Sequence, residues 1–188
     1  MRYRYEVIAT QRQAETALLP AHLQKSAGLK GVFEGRLGFA SNEAAILWAA
    51  DGPDPLFGFK YIAQRSTDKI TAVARGGGKL KLGGIYVHRW FTIDAGAEDQ
   101  FVELSKAAWP AFERDYDTEI FGLFAADRTG KDMTEGATRM LLLTYYASHD
   151  VWEQSRNPKQ EAFDNFRKRH AITRTTIARS SFVSMTET

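Results

Sequence analysis

The residues of this chain best suited to chemistry gather on two strand-like stretches and one helix start. In Ile85-Tyr86-Val87-His88-Arg89-Trp90-Phe91-Thr92-Ile93-Asp94 the odd positions are apolar except Arg89. The even positions are the amphipathic Tyr86, His88, Trp90 and Thr92. Alternation with period two puts these sets on opposite faces of a strand. His88 and Trp90 then either line a ligand cavity or fill a packed barrel interior with amphipathic side chains. The second stretch, Ala137 to Ala147, carries Arg139 with Leu141, Leu143 and Tyr145 on one face and Thr138, Met140, Leu142, Thr144 and Tyr146 on the other. Arg89 and Arg139 stand among apolar neighbours, and a buried arginine must be paired. Glu119 on an adjacent strand is the candidate partner. An arginine left free would instead hold a substrate carboxylate or enolate bidentately. Tyr145 and Tyr146 end their strand, where one ring packs and the other donates a hydrogen bond. His149 follows at a helix start, where the dipole favours a neutral imidazole base; an exposed capping-turn histidine is the plainer account of it. Trp48 occupies in the first half a place similar to Tyr145 in the second, and Trp109 and Trp152 read as core.

Composition narrows the classes. The 188 residues contain no cysteine, which excludes disulfides, thiolate metal sites and cysteine nucleophiles. A net charge of +2 with 26% charged residues gives little pull on a polyanion. Hydrophobic residues make up 44% of the chain and aromatics 12%, ample for a packed core. No apolar run is long enough for a membrane span, and the chain enters strand pattern without a hydrophobic leader, so a cytoplasmic location is expected. His22, His88, His149 and His170 show no i, i+4 pairing with carboxylates, and no metal site is expected. Gly78-Lys79 lacks the phosphate-loop context, since position 73 is Val and Leu80 replaces the required Ser or Thr. Lys30-Gly31-Val32-Phe33 agrees with an RNA-binding signature only at its first two positions. Arg167, Lys168, Arg169 and Arg174 form a basic patch that reads as a solvated helix end.

The elements that must position these residues alternate regularly. Arg4–Thr10 reads as a strand, and Thr10 to Gln13 has the spacing of a capping box. Pro20 should kink or divide the helix that follows. Val32–Ala40 and Ala44–Ala50 read as strands, Leu56–Gln64 as a short helix and Lys69–Arg75 as a fourth strand. Gly76 to Gly84 is a glycine-rich linker. Then come strand 85–93, a helix from about Ala97 to Tyr116 and strand Glu119–Ala126. A polar hairpin loop spans Asp127–Gly136 and leads to strand Ala137–Ala147. A helix capped by Ser148 follows, then a helix restarted at Asn157-Pro158 with Gln160 closing its box and Phe163 and Phe166 as its buried edge. Strand Thr173–Ser184 ends the chain. Each half thus reads β-α-β-β-α-β, a ferredoxin-like unit. The predicted fold class is α+β, two such repeats (1–75 and 85–188, joined by 76–84) closing a pseudo-dimeric α+β barrel with antiparallel sheets.

The second half resembles the NIPSNAP family. The resemblance is carried by Tyr86-Val87-His88-Arg89-Trp90-Phe91, Ala108-Trp109, Gly122-Leu123-Phe124 and Leu141-Leu142-Leu143-Thr144-Tyr145-Tyr146. Trp152-Glu153-Gln154-Ser155-Arg156 and Phe163-Asp164-Asn165-Phe166-Arg167 continue it, so that it covers about residues 84–184. The first half is similar to a more diverged copy. The resemblance implies a dimeric α+β barrel and a superfamily of small-molecule binders that includes cofactor-independent monooxygenases and haem-degrading enzymes.

Two functional readings result. The first is a cofactor-independent oxygenase or isomerase acting on an aromatic or polyketide-like compound. His88 or His149 would abstract a proton, with Arg139 and a tyrosine hydroxyl steadying the anion. Arg89, Trp90, Glu119, Tyr145, Tyr146 and Trp48 would line the binding site. The second is a non-catalytic binding or interaction protein with a packed barrel interior. A haem-binding barrel, with His170 or His88 as axial ligand, stands between them, although no cofactor is required. The expected partner is a small hydrophobic or aromatic ligand, with neither nucleic acid nor membrane. The chain is expected as a monomer with an internal pseudo-dimer or as a homodimer.

Overall fold

A computed structural model describes residues 1–187 of the chain. Thr188, the last residue of the span assigned to the second repeat, lies outside the described residues. Eight strands close an antiparallel barrel. In chain order they are β1 (Arg2–Thr10), β2 (Leu29–Gly35), β3 (Glu43–Ala49), β4 (Ile62–Arg75), β5 (Ile85–Asp94), β6 (Thr118–Ala126), β7 (Ala137–Tyr146) and β8 (Thr173–Thr186). Around the ring they run β1-β3-β2-β8-β5-β7-β6-β4, returning to β1. Each consecutive set of four therefore has the ferredoxin-like order 4-1-3-2, and the two sets meet at β2–β8 and β4–β6. Closure leaves no free sheet edge.

The helices are unevenly distributed. In the first half, Pro20 separates α1 (Gln13–Thr16) from α2 (Leu19–Leu23), as its missing N–H requires. The second half carries α3 (Glu98–Asp115) and α6 (Gln160–Ala171), packed on each other, with the shorter α4 (Gly130–Thr134) and α5 (His149–Gln154) between strands. No helix is long and apolar enough to cross a membrane.

Several local expectations change. Residues 56–64 do not form a helix. Phe57 and Phe59 amides bond back to Asp54 and Leu56 in a turn that Gly58, at φ +81°, ends. From Ile62 the chain is already strand, because pairing with β1 satisfies the backbone that a helix would otherwise have satisfied internally. Leu56 and Phe59 bury themselves against β1 and β3 where the second helix of the unit would stand. The first helix is capped at Arg12, with Glu15 accepting from the Arg12 amide at 2.8 Å, while the Thr10 hydroxyl is taken by Arg12 O and Thr16. β2 ends at Gly35, five residues earlier than expected. The Asp127–Gly136 loop contains α4, which Thr129 and Asp132 cap reciprocally. Asn157-Pro158 stands before the helix and Lys159 is the cap, so that Gln160 begins the helix. Ser148 caps α5 as expected, accepting from the Val151 amide at 3.2 Å.

Three packed regions result. The barrel interior holds Tyr3, Tyr5, Phe33, Leu47, Tyr86, Phe121, Phe124, Leu141 and Leu143. On the outside, Ile8, Ile46 and Trp48 pack under α2 in the first half. Val87, Phe91, Phe101, Trp109, Phe112 and Leu142 pack between sheet and helices in the second.

The glycine-rich linker is seated on the sheet. The Tyr3 hydroxyl donates to Gly76 O, and Gly76 N–H donates to Phe121 O at 2.9 Å. Gly122 sits at a register shift in β6. A Cβ there would meet Gly76 Cα at 2.6 Å and the Phe124 ring at 2.8 Å. Gly122→Ala is expected to cost about 1–3 kcal/mol through overpacking, read as a lower urea midpoint. A midpoint equal to wild type would show that the linker moves aside freely.

Candidate functional site

The alternation along β5 divides its side chains between two environments. Tyr86, His88 and Trp90 point into the barrel, while Val87, Arg89 and Phe91 point out beneath α3 and α6. The outer face is not completely filled. Between β5, β7 and β8 on one side and α3, α5 and α6 on the other lies a cavity of about 680 Å³. Arg89, Trp109, Tyr146, Trp152, Arg169 and His170 are among its polar groups, with Arg156, Arg167 and the hydroxyls of Thr144, Ser155 and Thr176; aromatic and aliphatic side chains make up most of the remaining wall.

Each of these groups has a definite origin. Phe101, Ser105, Ala108, Trp109 and Phe112 recur at helical spacing and turn one face of α3 to the sheet. Ala162, Phe166 and Arg169 form the matching stripe of α6 at i, i+4 and i+7. Arg169 is thereby carried inward, 6% exposed. Its Nη1 donates to Ser105 Oγ at 3.2 Å, and its guanidinium stands 4.8–5.4 Å from the ring centres of Phe91, Phe101 and Phe166. Burial, and then the charge of nearby Arg89, push its pKa down to about 9. A guanidinium keeps its proton in proteins, so this depression expresses the cost of a buried cation with no counter-charge. The Arg89 side chain makes no hydrogen bond or ion pair with the described residues. Burial pushes the Tyr146 hydroxyl up, against the opposite pull of Arg89. The indole N–H groups of Trp109 and Trp152 are buried without a partner among the described residues. No Asp or Glu side chain lines the cavity. The lining supplies donors and aromatic surface, and hydroxyls are its main side-chain acceptors.

The residues singled out from the sequence are separated by the sheet. Arg89 and Tyr146 are at the cavity, joined by His170. His88 is inside the barrel and fully buried. Its Nδ1 bonds to the Tyr5 hydroxyl at 2.9 Å and its Nε2 to Ser181 Oγ at 2.7 Å. Trp90 and Tyr145 share that interior. Arg139 is on the interior side as well, paired with Asp68 at 2.7 Å and Asp132 at 3.2 Å, with its guanidinium over Trp90. The expected pairing with Glu119 does not form, because Glu119 holds Lys81 at 2.5 Å. His149 lies beside Phe182 and Trp152 with Nε2 at 3.0 Å from Ser180 Oγ, and it is not among the residues that line the cavity. Trp48 faces α2 and not the barrel interior, so it lies on the opposite face from Tyr145.

Two further corrections concern α6. Arg169 does not belong to a solvated basic patch, and Phe163, expected on the buried edge, is 42% exposed. The 162/166/169 spacing was the signal that Arg169 faces the sheet. The basic residues flanking it conceal that signal.

No family model matches the chain, and no curated protein matches it in sequence. Solved structures do match it in fold. A candidate monooxygenase from Fusobacterium nucleatum superposes with a TM-score of 0.70 at 11% identity, covering 99% of this chain and 93% of that one. An anthrone oxidase-like protein gives 0.65 at 10% identity, covering 99% and 92%. A heme-degrading enzyme from Listeria monocytogenes gives 0.53 at 8% identity, covering 95% and 98%. The chain has the ferredoxin-like α+β barrel fold of these proteins over its whole length.

Proposed function

We propose that the cavity between sheet and helices in the second half binds an aromatic or polyketide-like compound and oxygenates it without a cofactor. The observation that carries this reading is an aromatic-walled cavity that no Asp or Glu side chain lines and in which Arg89 and Arg169 have no carboxylate partner among the described residues, whereas Arg156 and Arg167 pair outward with Glu153 and Asp164. The barrel interior is filled by side chains, so the reading places chemistry on the outer face. The chain's ordered blocks shared with NIPSNAP proteins support a place beside that family, with residues 1–75 and 85–188 as its two repeats.

His170 is the base at the cavity wall. It takes a proton from an acidic ring C–H₂, and Arg89 with the Tyr146 hydroxyl stabilises the resulting enolate or phenolate. The anion gives one electron to O₂ and recombines with the superoxide formed. Protonation yields a C–H hydroperoxide, which loses water as the remaining C–H proton leaves. The ring CH₂ has become C=O, and one oxygen atom has left as water.

The test is oxygen uptake with 1,8-dihydroxyanthrone and with its ring-carboxylated analogue, measured above the buffer blank. Quinone should form in step with O₂ consumed, and Arg89→Gln should lower the rate by about 10²-fold. A rate no higher than the blank would remove the oxygenase reading. A haem reading stands beside it, because His170 lies on the cavity wall with Arg89 and Arg169 there to meet propionates. A Soret band on hemin addition that disappears in His170→Ala would favour that alternative.

A further inference from the structure

Arg169 differs from the ion-paired arginines of the chain. Arg65 is paired with Glu6 and Asp54, Arg139 with Asp68 and Asp132, and Arg75 with Glu113. Arg169 is the most deeply buried of these, yet of its five donors only the bond to Ser105 finds an acceptor among the described residues. The charge beside it is Arg89, of the same sign. Isolated buried charge is strongly unfavourable unless it is paired. The Phe91, Phe101 and Phe166 rings offset part of that cost through cation–π contact and hold the guanidinium plane in place. They supply no acceptor. The indole N–H groups of Trp109 and Trp152 in the same wall are also unpartnered.

We infer that the ligand of this cavity carries a carboxylate, received by Arg169 and Arg89, so that the substrate class is aromatic or polyketide-like carboxylic acids. The inference rests on the cavity reading above and is independent of the oxygenation. A carboxylate offers two oxygens with about four lone-pair sites in one plane, which matches the planar fork of a guanidinium. It supplies the counter-charge that neither Arg89 nor Arg169 has, while the aromatic wall takes the body of the ligand. A neutral aromatic ligand would leave both charges uncompensated and would remove water from them as well.

The experiment compares 2-naphthoate with 2-naphthalenemethanol, its neutral analogue, on the full chain at low salt. Binding is read by calorimetry and by fluorescence of the cavity tryptophans. Naphthoate should bind about tenfold more tightly or better. Arg169→Gln and Arg89→Gln should each abolish that preference while changing the affinity for the alcohol by no more than about threefold. Should Arg169→Gln fail to fold, Arg89→Gln and the wild-type comparison carry the test. Equal affinity for acid and alcohol in wild type would overturn the carboxylate and leave the cavity reading in place. A preference unchanged in both variants would overturn the arginine assignment. Binding of neither compound would overturn this inference together with the cavity reading beneath it. Tight naphthoate binding without anthrone oxidation would remove only the oxygenation.

Discussion

Replacing Arg65 by methionine is expected to destabilise the protein by about 3–5 kcal/mol, because it strands a charge. Glu6 on β1 is fully buried. Its two oxygens accept from Arg65 Nε at 3.0 Å and Nη2 at 2.8 Å, across the β1–β4 pair. Arg65 Nη1 also donates to Asp54 at 2.7 Å, and this hydrogen bond holds the Asp54 carboxyl below the usual carboxylate range. The network stands where the first half has a turn instead of its second helix, and it fastens that turn to the sheet. Removing Arg65 leaves Glu6 in the sheet with no acceptable partner. Removing both ions with Glu6→Leu/Arg65→Met should restore most of the loss, since well-packed apolar residues commonly replace a buried pair without penalty. Urea unfolding of the two single variants and the double variant measures this. A loss below about 1 kcal/mol in Arg65→Met would show that water reaches Glu6.

The second large effect is a loss of stability in mild acid that originates at His88. An unfolded histidine titrates near 6.5, whereas in the barrel burial, and next the charge of Arg179, hold His88 down to about 3. Tyr5, Phe33, Phe39 and Ser181 surround the ring and leave no room for a counter-charge. Between those two pKa values the unfolded chain binds one proton more than the folded chain, so stability rises with pH across that window. The contribution of neutral His88 is fully present above pH 6.5. It falls away by about 1.4 kcal/mol per unit as the pH drops toward 3. Unfolding free energies of wild type and His88→Gln, compared at pH 7.5 and 5, isolate this term because the carboxylates titrate alike in both. The advantage of wild type should shrink by about 2 kcal/mol at the lower pH. An advantage equal at both pH values would mean that water enters the barrel and hydrates the imidazolium.

The eight strands in their order, the helices of the second half, the alternation on β5 and β7 and the break of the first helix near Pro20 were all legible, because each is a matter of local spacing and backbone chemistry. The alternation also told correctly which residues travel together. His88 and Trp90 share one face, Arg139 and Tyr145 share one face, and Arg89 lies opposite His88. Leu56–Gln64 was not legible, since its apolar residues suit a helix and only pairing with β1 makes the chain from Ile62 a strand. Arg65 lay between that segment and the strand expected from Lys69, and its bond to Glu6, 59 positions away, left no trace in local pattern.

The site divides in the same way. Period two in a closed barrel buries both faces of a strand that helices cover, such as β5, one against the opposite wall and one against those helices. Sequence alone therefore determined the sets {His88, Trp90} and {Arg89, Phe91} but gave no means of choosing between them. The tertiary structure decided. Tyr5, Phe33 and Ser181, from β1, β2 and β8, close around His88, while α3 and α6 hold their aromatic side chains over Arg89 and leave a cavity there. Arg169 joins Arg89 for the same reason: a helix 80 residues downstream in the chain packs over the strand, and no spacing within either element records that contact.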